Sequence, residues 1–417
     1  MTQARCHLVA VTVALTATLS TSCSPRTRTA GGASADDTRW VGAWEAAPQL
    51  TEPRNMPPAP GLTGTTLRQR VRVSLGGDDW RFRVSNEFGD APLTIGAMRV
   101  ARVVARDTVD SASSTAVLFA GSASVTVAPG TSVLSDPVRL TSAPLSDLGV
   151  SIHVTSAPPA LTGHPGSRTT SFVLAGQHVA ARTFAGAVLV EHWYLLSGIE
   201  VRAPSDRAAV VVLGNSIADG RGSGTDQNNR WPDNLARRLR ADARTAHVAV
   251  LNAGIGGNTV LHGGLGPTAL ARLDRDVLSQ AGARWLIVSE GVNDIGGAVD
   301  AAASASTATG LIAAYRDIIR RSRARGFRVY GATILPFGGS FYASAEHEAA
   351  RRTVNDWIRA SAEFDAVIDF DAVMRDSSDP TRLQAAVDGG DHLHPNEHGY
   401  RVMADAIDLA LFASPRH

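Results

Sequence analysis

The stretch AVVVLGNSIADG, residues 209–220, decides the fold of the second half of this chain. Its apolar residues run without interruption into Gly214, Asn215 and Ser216, which is typical of a strand buried on both faces of a parallel sheet. A serine after such a strand is common. Whether Ser216 is a nucleophile or a polar residue at the start of a loop therefore depends on whether a base, an orienting acid and oxyanion donors occur elsewhere.

Further short apolar runs follow this one, separated by segments with helical patterns. They lie at 248–254, 285–291, 327–336 and 366–371. Of the segments between them, 231–243 has Pro232 near its start and 311–326 ends on Gly326, as helices commonly do. This alternation predicts a doubly wound parallel α/β sheet over residues 207–413, with its site at the carboxyl ends of the strands.

The first half of the chain has the alternating pattern of β-strands instead. Residues 71–75 and 80–88 alternate apolar and polar side chains around a Gly-Gly-Asp-Asp turn, which predicts a hairpin. The alternation continues at 124–130, 132–140 and 148–154. We therefore expect an all-β sandwich domain over residues 39–200 and a linker at 201–207 before the α/β domain.

The N-terminus has the features of an export signal. Residues 1–23 contain Arg5 and then an apolar segment from Leu8 to Leu19 that is too short to span a bilayer. Residues 24–38 contain no apolar residue larger than alanine and predict a flexible tether. The mature protein is therefore expected outside the cytoplasm, secreted or lipid-anchored at the outer face of a bacterial membrane.

Only two cysteines occur, Cys6 and Cys23, so we expect no disulfide in the mature domains. Cys23 ends the segment LSTSC, which is similar to a lipoprotein lipobox, although the leucine lies four rather than three places before the cysteine. A lipidated Cys23 would attach the protein to a membrane. Ordinary secretion with cleavage nearby is the alternative.

The overall composition limits the classes of partner. With 44% apolar and 19% charged residues the chain is a typical globular protein, and its length fits two domains with additions. The formal net charge of +1 gives no indication of nucleic acid or of a protein partner.

The segment DGGDHLHPNEHGY, residues 388–400, supplies candidates for the base and the acid. Asp391 and His394 are three residues apart, so one loop could place the carboxylate against the imidazole, as a serine hydrolase requires. His392 and His398 leave a metal site open as an alternative. A polar surface loop is the third interpretation.

Two glycine-rich segments after predicted strands supply candidates for the oxyanion donors. In LNAGIGGNT, residues 251–259, the glycines allow backbone N–H groups to point at a ligand. In SEGVNDIGG, residues 289–297, the Asn293 amide could donate to a developing oxyanion. Each segment taken alone is more typical of a turn.

Together, these segments resemble the SGNH subgroup of the GDSL hydrolases, which is named for residues in four sequence blocks. The blocks occur in order over residues 207–413 and correspond to Ser216, Gly257, Asn293, and Asp391 with His394. The resemblance implies a flavodoxin-like sheet and a triad of Ser216, His394 and Asp391. It also implies oxyanion donors from the Ser216 N–H, the Gly257 N–H and the Asn293 side chain, with no metal or cofactor required.

One position departs from the family pattern. The family usually has aspartate before the serine, whereas this chain has Asn215. Asparagine can keep one hydrogen bond of that carboxylate but loses its charge. Since the position is not a proton carrier, we interpret the change as tolerated.

Three functions remain open from the sequence. The leading hypothesis is an extracytoplasmic serine ester hydrolase that removes O-acetyl groups from carbohydrate through an acyl-enzyme on Ser216. The second is the same chemistry on lipid or lysophospholipid. The loop 335–347 could line an acyl channel through Phe337, Phe341 and Tyr342, or its residues 340–347 could instead cover the cleft as a lid. The third is a surface glycan-binding protein with a decayed hydrolase domain.

The β-rich half resembles the N-terminal region of some secreted GDSL esterases in its arrangement and in the segment WVGAW, residues 40–44. Its tryptophans could stack on sugar rings or fill the core; they are Trp40, Trp44 and Trp80. Arginines also occur at alternate positions of this half, forming a ladder of Arg68, Arg70 and Arg72. The ladder could bind an anionic polymer or lie on a solvated strand face.

Overall fold

The computed structural model of this chain describes Met1 and residues 37–413. The predicted signal peptide and Cys23 therefore lie outside the described residues, apart from Met1, and so does nearly all of the predicted tether. The strands of the first half are β1 (Thr38–Glu45), β2 (Gln49–Leu50), β3 (Thr65–Arg72), β4 (Gly77–Asn86), β5 (Leu93–Ala105), β6 (Thr108–Val109), β7 (Thr115–Val117), β8 (Val125–Val127), β9 (Thr131–Leu134), β10 (Val138–Ser142), β11 (Asp147–Ser156), β12 (Thr162–His164), β13 (Ser171–Ala175), β14 (Val188–Val190), β15 (Trp193–Tyr194) and β16 (Leu196–Pro204).

The second half alternates strands with helices. Its elements are β17 (Ala208–Gly214), α1 (Ser216–Asp219), α2 (Trp231–Ala241), β18 (Val248–Gly254), α3 (Ala269–Leu273), β19 (Ala283–Ser289), α4 (Val292–Gly296), α5 (Ala301–Arg323), β20 (Arg328–Ala332), α6 (Ala345–Ala360), β21 (Ala366–Ile368), α7 (Phe370–Met374) and α8 (Glu397–Asp405).

The first half is built from antiparallel sheets. One sheet has the strand order β1-β16-β4-β10, with β9 also paired to β4, and a larger one has the order β14-β13-β3-β11-β5-β6, with β7 and β8 paired to β5. A small sheet has the order β15-β12-β2. Within β4, every second side chain from Trp80 to Val84 is buried, namely Trp80, Phe82 and Val84. The predicted all-β region is thus confirmed.

The predicted hairpin between residues 71–75 and 80–88 is wrong. Strand β3 pairs with β11 and β13, whereas β4 pairs with β9, β10 and β16, so the chain crosses from one sheet to the other. At the crossing, the Ser74 N–H donates to the Ala43 carbonyl at 2.8 Å and the Ser74 hydroxyl to the Val250 carbonyl at 3.1 Å. The alternation of side chains fixes which face of a strand is buried but not which strand pairs with it.

The second half contains a five-stranded parallel sheet with the order β18-β17-β19-β20-β21. This is the flavodoxin-like order, in which the first strand lies between the second and the third. Every residue of β17 is buried. The predicted fold class, an all-β region followed by a flavodoxin-like sheet, is therefore confirmed.

The longest helix begins earlier than its apolar pattern indicates. Helix α5 starts about ten residues before the predicted 311–326 segment, where the Asp300 carboxylate accepts a hydrogen bond from the Ala303 N–H at 2.7 Å. The first turns are rich in alanine and serine, which lack the apolar periodicity that marks a helix face. Within the described part of the chain, no helix combines the length and the apolar character needed to cross a membrane.

The two halves pack directly against each other within one compact unit. Strand β16 runs to Pro204, so most of the linker expected at 201–207 is a strand. The Gly42 N–H donates to the Ala281 carbonyl at 2.8 Å. A Cβ atom at Gly42 would lie 2.7 Å from the Leu251 side chain, so glycine permits β1 to lie against the parallel sheet. The domain boundaries at 200 and 207 stay a prediction.

The structure decides between the two interpretations of the tryptophans. Trp44 and Trp80 are buried in the core, and Trp44 meets Trp193 edge to face with 4.9 Å between ring centroids. The guanidinium of Arg81 lies 4.0 Å above the Trp40 ring. Core packing is therefore the correct interpretation for Trp44 and Trp80, and these two rings are not available to a sugar.

Neither interpretation of the arginine ladder holds for Arg68. Its side chain is only 2% exposed, and its guanidinium lies 3.9 Å above the Phe184 ring and donates to backbone carbonyls. Arg70 and Arg72 both form ion pairs with Asp147. The ladder thus ties strands and loops together rather than presenting free charge.

Candidate active site

Ser216 is the first residue of α1, directly beyond the carboxyl end of the central strand β17. The side chain of Asn215 caps the helix by accepting a hydrogen bond from the Ile217 N–H at 3.0 Å. A Cβ atom at Gly214 would lie 2.5 Å from Cβ of Ala218, so only glycine allows the helix to fold back this tightly. The turn holds the Ser216 side chain at the edge of a cleft.

The structure brings three predicted site residues into one hydrogen-bond chain. Oγ of Ser216 lies 2.8 Å from Nε2 of His394, and Nδ1 of His394 lies 2.7 Å from Oδ2 of Asp391. A carboxylate can only accept, so Nδ1 donates to Asp391 and Nε2 of the neutral ring accepts from the serine hydroxyl. In this state, Ser216 can pass its proton to the imidazole.

Asp391 is fixed in its ionised form. Burial opposes ionisation, but hydrogen bonds from the His394 N–H at 2.8 Å, the imidazole and the Leu393 N–H at 3.1 Å together lower the pKa of the Asp391 carboxyl. A carboxylate bound in this way orients the ring and stabilises the imidazolium that forms during a proton transfer.

Burial favours the neutral form of the candidate base His394. It lowers the pKa of His394 below its ordinary value of 6.5, outweighing the raising effect of Asp391. Arg221 and Arg168 lower the pKa further through their positive charges. At neutral pH, the imidazole is therefore the free base that general-base catalysis needs.

The two remaining predicted site residues, Gly257 and Asn293, line the same cleft as Ser216. One N–H of the Asn293 amide donates to the Asn258 carbonyl at 2.8 Å, and its oxygen accepts from the Tyr342 hydroxyl at 3.1 Å. The second N–H of that amide is left to serve a ligand. Gly257 has a positive φ of 72°, which favours glycine and orients its backbone beside the cleft.

Asp294 holds the loop after Gly257 in place, a role that the sequence did not reveal. Its carboxylate accepts from the Val260 N–H at 2.9 Å and the Leu261 N–H at 2.9 Å. Burial raises the pKa of Asp294, and those backbone hydrogen bonds oppose the rise. Asn293 and Asp294 therefore work as a pair, one facing the cleft and the other anchoring the loop that contains Gly257.

A buried arginine lies beneath the site. The Arg272 guanidinium donates to the carbonyls of Gly214 at 3.0 Å and Ala253 at 2.6 Å, which end strands β17 and β18. It also contacts Asp276 at 3.2 Å and Glu290 at 3.4 Å. Nothing in the sequence distinguishes Arg272 from its neighbour Arg275, so this support was not predicted.

Glu290 explains why asparagine at position 215 is compatible with the fold. Glu290 is fully buried, and burial raises its pKa to about 8, opposed by Arg272 and by the side chain of Asn215. An aspartate at position 215 would bring a second carboxyl to this buried group. Asn215 instead keeps the helix cap without adding a like charge.

The remaining histidines of the 388–400 segment do not join the triad. His392 is exposed and pairs with Asp388 at 2.5 Å, and His398 is exposed on α8. In the described part of the chain, no three His, Cys, Asp or Glu side chains are grouped closely enough to hold a metal ion. The metal-site alternative therefore finds no support in this geometry.

The cleft has a volume of about 520 Å³ and is lined by both halves of the chain. The β-rich half contributes Gln49, Glu52, Arg54, Asn55, Arg168 and His192. A buried pair between Nε2 of His164 and Oδ1 of Asp219, 2.9 Å apart, joins this half to α1. A Cβ atom at Gly166 would lie 1.7 Å from Asp219, so the two halves meet closely beside Ser216. The sequence did not predict this contribution.

Comparison with protein families gives one match in this half of the chain. Residues 212–402 match the GDSL-like lipase/acylhydrolase family. No curated protein shows significant similarity to the chain. The matched range contains all five predicted site residues.

Several solved structures resemble about half of the chain. A lipolytic protein of the G-D-S-L family from Desulfitobacterium hafniense is 18% identical, with a TM-score of 0.37, covering 48% of this chain and 97% of its own. A GDSL-like lipase from Bacteroides thetaiotaomicron is 19% identical, with a TM-score of 0.36 and coverages of 49% and 87%. A catalytic mutant of an acetylxylan esterase from Geobacillus stearothermophilus is 19% identical, with a TM-score of 0.37 and coverages of 48% and 92%.

Proposed function

We propose that this chain works through an acyl-enzyme on Ser216. It is a carboxylic ester hydrolase, and its residues 212–402 match the GDSL-like lipase/acylhydrolase family. The observation that supports this most is the hydrogen-bond chain from Ser216 through His394 to Asp391 at the edge of the cleft. A complete chain of this kind argues against the alternative of a decayed hydrolase that only binds glycans.

In the proposed first step, His394 accepts the Ser216 proton while Oγ attacks the ester carbonyl carbon. The negative charge on the carbonyl oxygen is stabilised by the backbone N–H groups of Ser216 and Gly257 and by the Asn293 amide. A single donor of this kind is worth roughly 3–4 kcal/mol in the transition state. His394 then gives its proton to the departing alcohol, which leaves the acyl group on Ser216.

The second step repeats the chemistry with water. His394 takes a proton from a water molecule, which attacks the acyl carbonyl, and the same donors stabilise the oxyanion. The carboxylic acid leaves as the proton returns to Oγ of Ser216. Asp391 keeps the ring oriented and stabilises the imidazolium in both steps.

We propose an acylated carbohydrate, with acetyl as its acyl group, as the substrate. The cleft wall from the β-rich half is polar, with Gln49, Glu52, Asn55 and His192 among its side chains. Groups of this kind form hydrogen bonds with hydroxyl groups and would not hold an aliphatic chain. Export from the cytoplasm, which we propose from the N-terminal sequence alone, would place the enzyme where extracellular polysaccharides occur.

A lipid ester is the second candidate because exposed apolar side chains flank the cleft. Phe341, which is 76% exposed, and Leu265 line the cleft, and Val299, which is 88% exposed, lines a neighbouring cavity. This cavity of about 590 Å³ shares Asn293 and Tyr342 with the cleft. These side chains could receive a longer acyl group beyond the oxyanion donors.

The length of the preferred acyl chain distinguishes the two candidates. We expect kcat/KM of the purified protein on 4-nitrophenyl esters to fall by about tenfold or more from acetyl to butanoyl. Ser216→Ala is the control for non-enzymatic hydrolysis. A preference for octanoyl or palmitoyl esters would instead favour the lipid substrate and identify the cavity beside Tyr342 as the acyl site. Lack of hydrolysis at every chain length by the folded protein would contradict the proposed function.

The pH profile provides an independent prediction. Protonated His394 cannot accept the Ser216 proton, so activity is lost as the pH falls through the pKa of His394. Because burial lowers that pKa, we expect kcat/KM to stay constant from about pH 9 to about pH 7 and to halve below 6.5. Initial rates on 4-nitrophenyl acetate across this range measure the midpoint. A midpoint above 6.5 would show that Asp391, not burial, dominates the environment of the ring.

A further inference from the structure

We propose that Arg168 of the β-rich half binds an anionic group on the alcohol part of the substrate, so that the preferred ester is an acylated acidic carbohydrate. This inference rests on the proposed function and adds the substrate class to it.

Arg168 lines the same cleft as Ser216, and its charge is not used within the fold. Among the described residues, no side-chain hydrogen bond or ion pair occupies its guanidinium, and its Nε atom is buried without a partner. By contrast, the buried arginines Arg230 and Arg272, which do not line the cleft, pair with carboxylates. A buried donor without a partner costs free energy, and an anionic ligand would supply the missing acceptor.

Hydrogen bonds hold the backbone of the loop that contains Arg168. Arg168 has a positive φ of 49°, which is strained for a residue with a long side chain. Its carbonyl accepts from the Asp226 N–H at 2.9 Å, and the Asp226 carboxylate accepts from the Thr170 N–H and hydroxyl at 2.9 and 2.7 Å. Arg70 pairs with Asp226 in turn. The loop is therefore attached to both halves of the chain.

The surrounding charges favour an anion. Arg54 and Arg221 line the cleft too, and within residues 37–413 neither guanidinium forms a side-chain hydrogen bond or an ion pair. The acidic residues of the cleft are engaged: Asp219 pairs with His164, and Glu52 accepts from the side chains of its neighbours. Within the described part of the chain, the guanidinium groups of the cleft are unpaired whereas its carboxylates have partners, so the cleft favours an anionic ligand.

The position of Arg168 relative to His394 decides which part of the ester would bear the anion. Arg168 and Arg221 are close enough to His394 to lower its pKa through their charges. His394 must reach the leaving oxygen to protonate it, so the alcohol part lies on the His394 side of the cleft. An anion near Arg168 therefore belongs to the alcohol, not to the acyl group.

A carboxylate on a sugar ring fits this arrangement. A guanidinium can form two parallel hydrogen bonds with a carboxylate, and the neighbouring amides Gln49 and Asn55 can bind ring hydroxyl groups. A phosphate on a lysophospholipid would present similar oxygen atoms but fewer hydroxyl groups for these amides to bind. The cleft therefore favours the acetyl ester of a uronic acid.

The test uses two acetyl esters that differ only in the anionic group: monoacetylated methyl glucuronoside and monoacetylated methyl glucoside, acetylated at the same hydroxyl. We expect wild-type kcat/KM to be about tenfold or more higher for the glucuronoside. Arg168→Gln should lower kcat/KM for the glucuronoside by about tenfold, mainly through KM, and remove the preference. Arg168→Lys should retain part of the preference because it keeps the charge but not the planar fork. Arg139→Gln, on an exposed arginine of β10, is the matched control and should retain it.

The outcomes separate this inference from the proposed function. Equal kcat/KM for the two sugars in the wild type, with ready hydrolysis of both, would overturn the role of Arg168 and leave the hydrolase intact. Failure of the folded wild type to hydrolyse either sugar or 4-nitrophenyl acetate would overturn both proposals. A preference for lysophosphatidic acid over the glucuronoside, lost in Arg168→Gln, would overturn the acidic carbohydrate and assign the anion to a phospholipid.

Discussion

Replacement of Ser216 by alanine is expected to abolish ester hydrolysis. The substitution removes only Oγ, whose hydrogen-bond partner is Nε2 of His394 at 2.8 Å. In triads that have been dissected by mutagenesis, loss of the nucleophile lowers kcat by about 10⁶-fold, and the oxyanion donors supply the remaining rate. We expect a fall of at least about 10³-fold here, measured by steady-state hydrolysis of 4-nitrophenyl acetate.

The same variant should remain folded. Ser216 begins a short helix at the edge of the cleft, and alanine is compatible with that position, so the free energy of unfolding should change by less than about 1 kcal/mol. Ser377→Ala, at an exposed serine of the same half, is the matched control and should keep the wild-type rate. A fluorophosphonate should add one label to the wild type and none to Ser216→Ala. Wild-type turnover by the folded variant would exclude Ser216 as the nucleophile.

The candidate site could be predicted because its parts follow neighbouring parallel strands. Ser216, Gly257 and Asn293 lie beyond the carboxyl ends of β17, β18 and β19, which are adjacent in the sheet. The carboxyl ends of parallel strands meet at one edge, so local patterns are sufficient to bring such residues together. Asp391 and His394 needed only a short loop. The family pattern then indicated which polar residues among many belong to the site.

The antiparallel half was predictable only as a class of structure. Alternating residues showed that 71–75 and 80–88 are strands, but their partners lie elsewhere in the chain, so the hairpin was wrong. Arg68 also alternates with apolar residues, yet it is buried over Phe184. Its burial depends on carbonyl acceptors supplied by distant loops, which a local pattern does not contain.

The wall of the cleft was missed for a related reason. His164 and Asp219, which join the two halves, are 55 residues apart in the chain, and neither belongs to a recognisable motif. Arg168 lies in the same loop as Gly166, whose lack of a side chain permits the contact with Asp219. Under the proposed function, the specificity of the site would depend on how the halves pack, whereas its chemistry would depend on motifs within one half.

Arg272→Met is expected to produce the largest loss of stability among single substitutions near the site, lowering the free energy of unfolding by about 3–5 kcal/mol. Methionine matches much of the length of the arginine but donates no hydrogen bonds. The buried carbonyls of Gly214 and Ala253 would lose a donor, and Asp276 would lose one of its two arginine partners. The Gly214 carbonyl would keep the Ile255 N–H at 3.0 Å, but the loss of a donor to a buried acceptor or carboxylate is costly because water cannot replace it. Chemical denaturation followed by circular dichroism measures the difference.

The matched control is Arg352→Met on helix α6. This arginine is exposed, so the free energy of unfolding should change by no more than about 0.5 kcal/mol. Arg272→Lys should lower the free energy of unfolding by an intermediate amount. Its ammonium keeps the charge but cannot reach carbonyls and carboxylates that lie in several directions. A loss below about 1 kcal/mol for Arg272→Met would mean that the strand ends are held without this guanidinium. Since those strand ends position Ser216 and Gly257, the expected loss would also link the stability of the sheet to the geometry of the site.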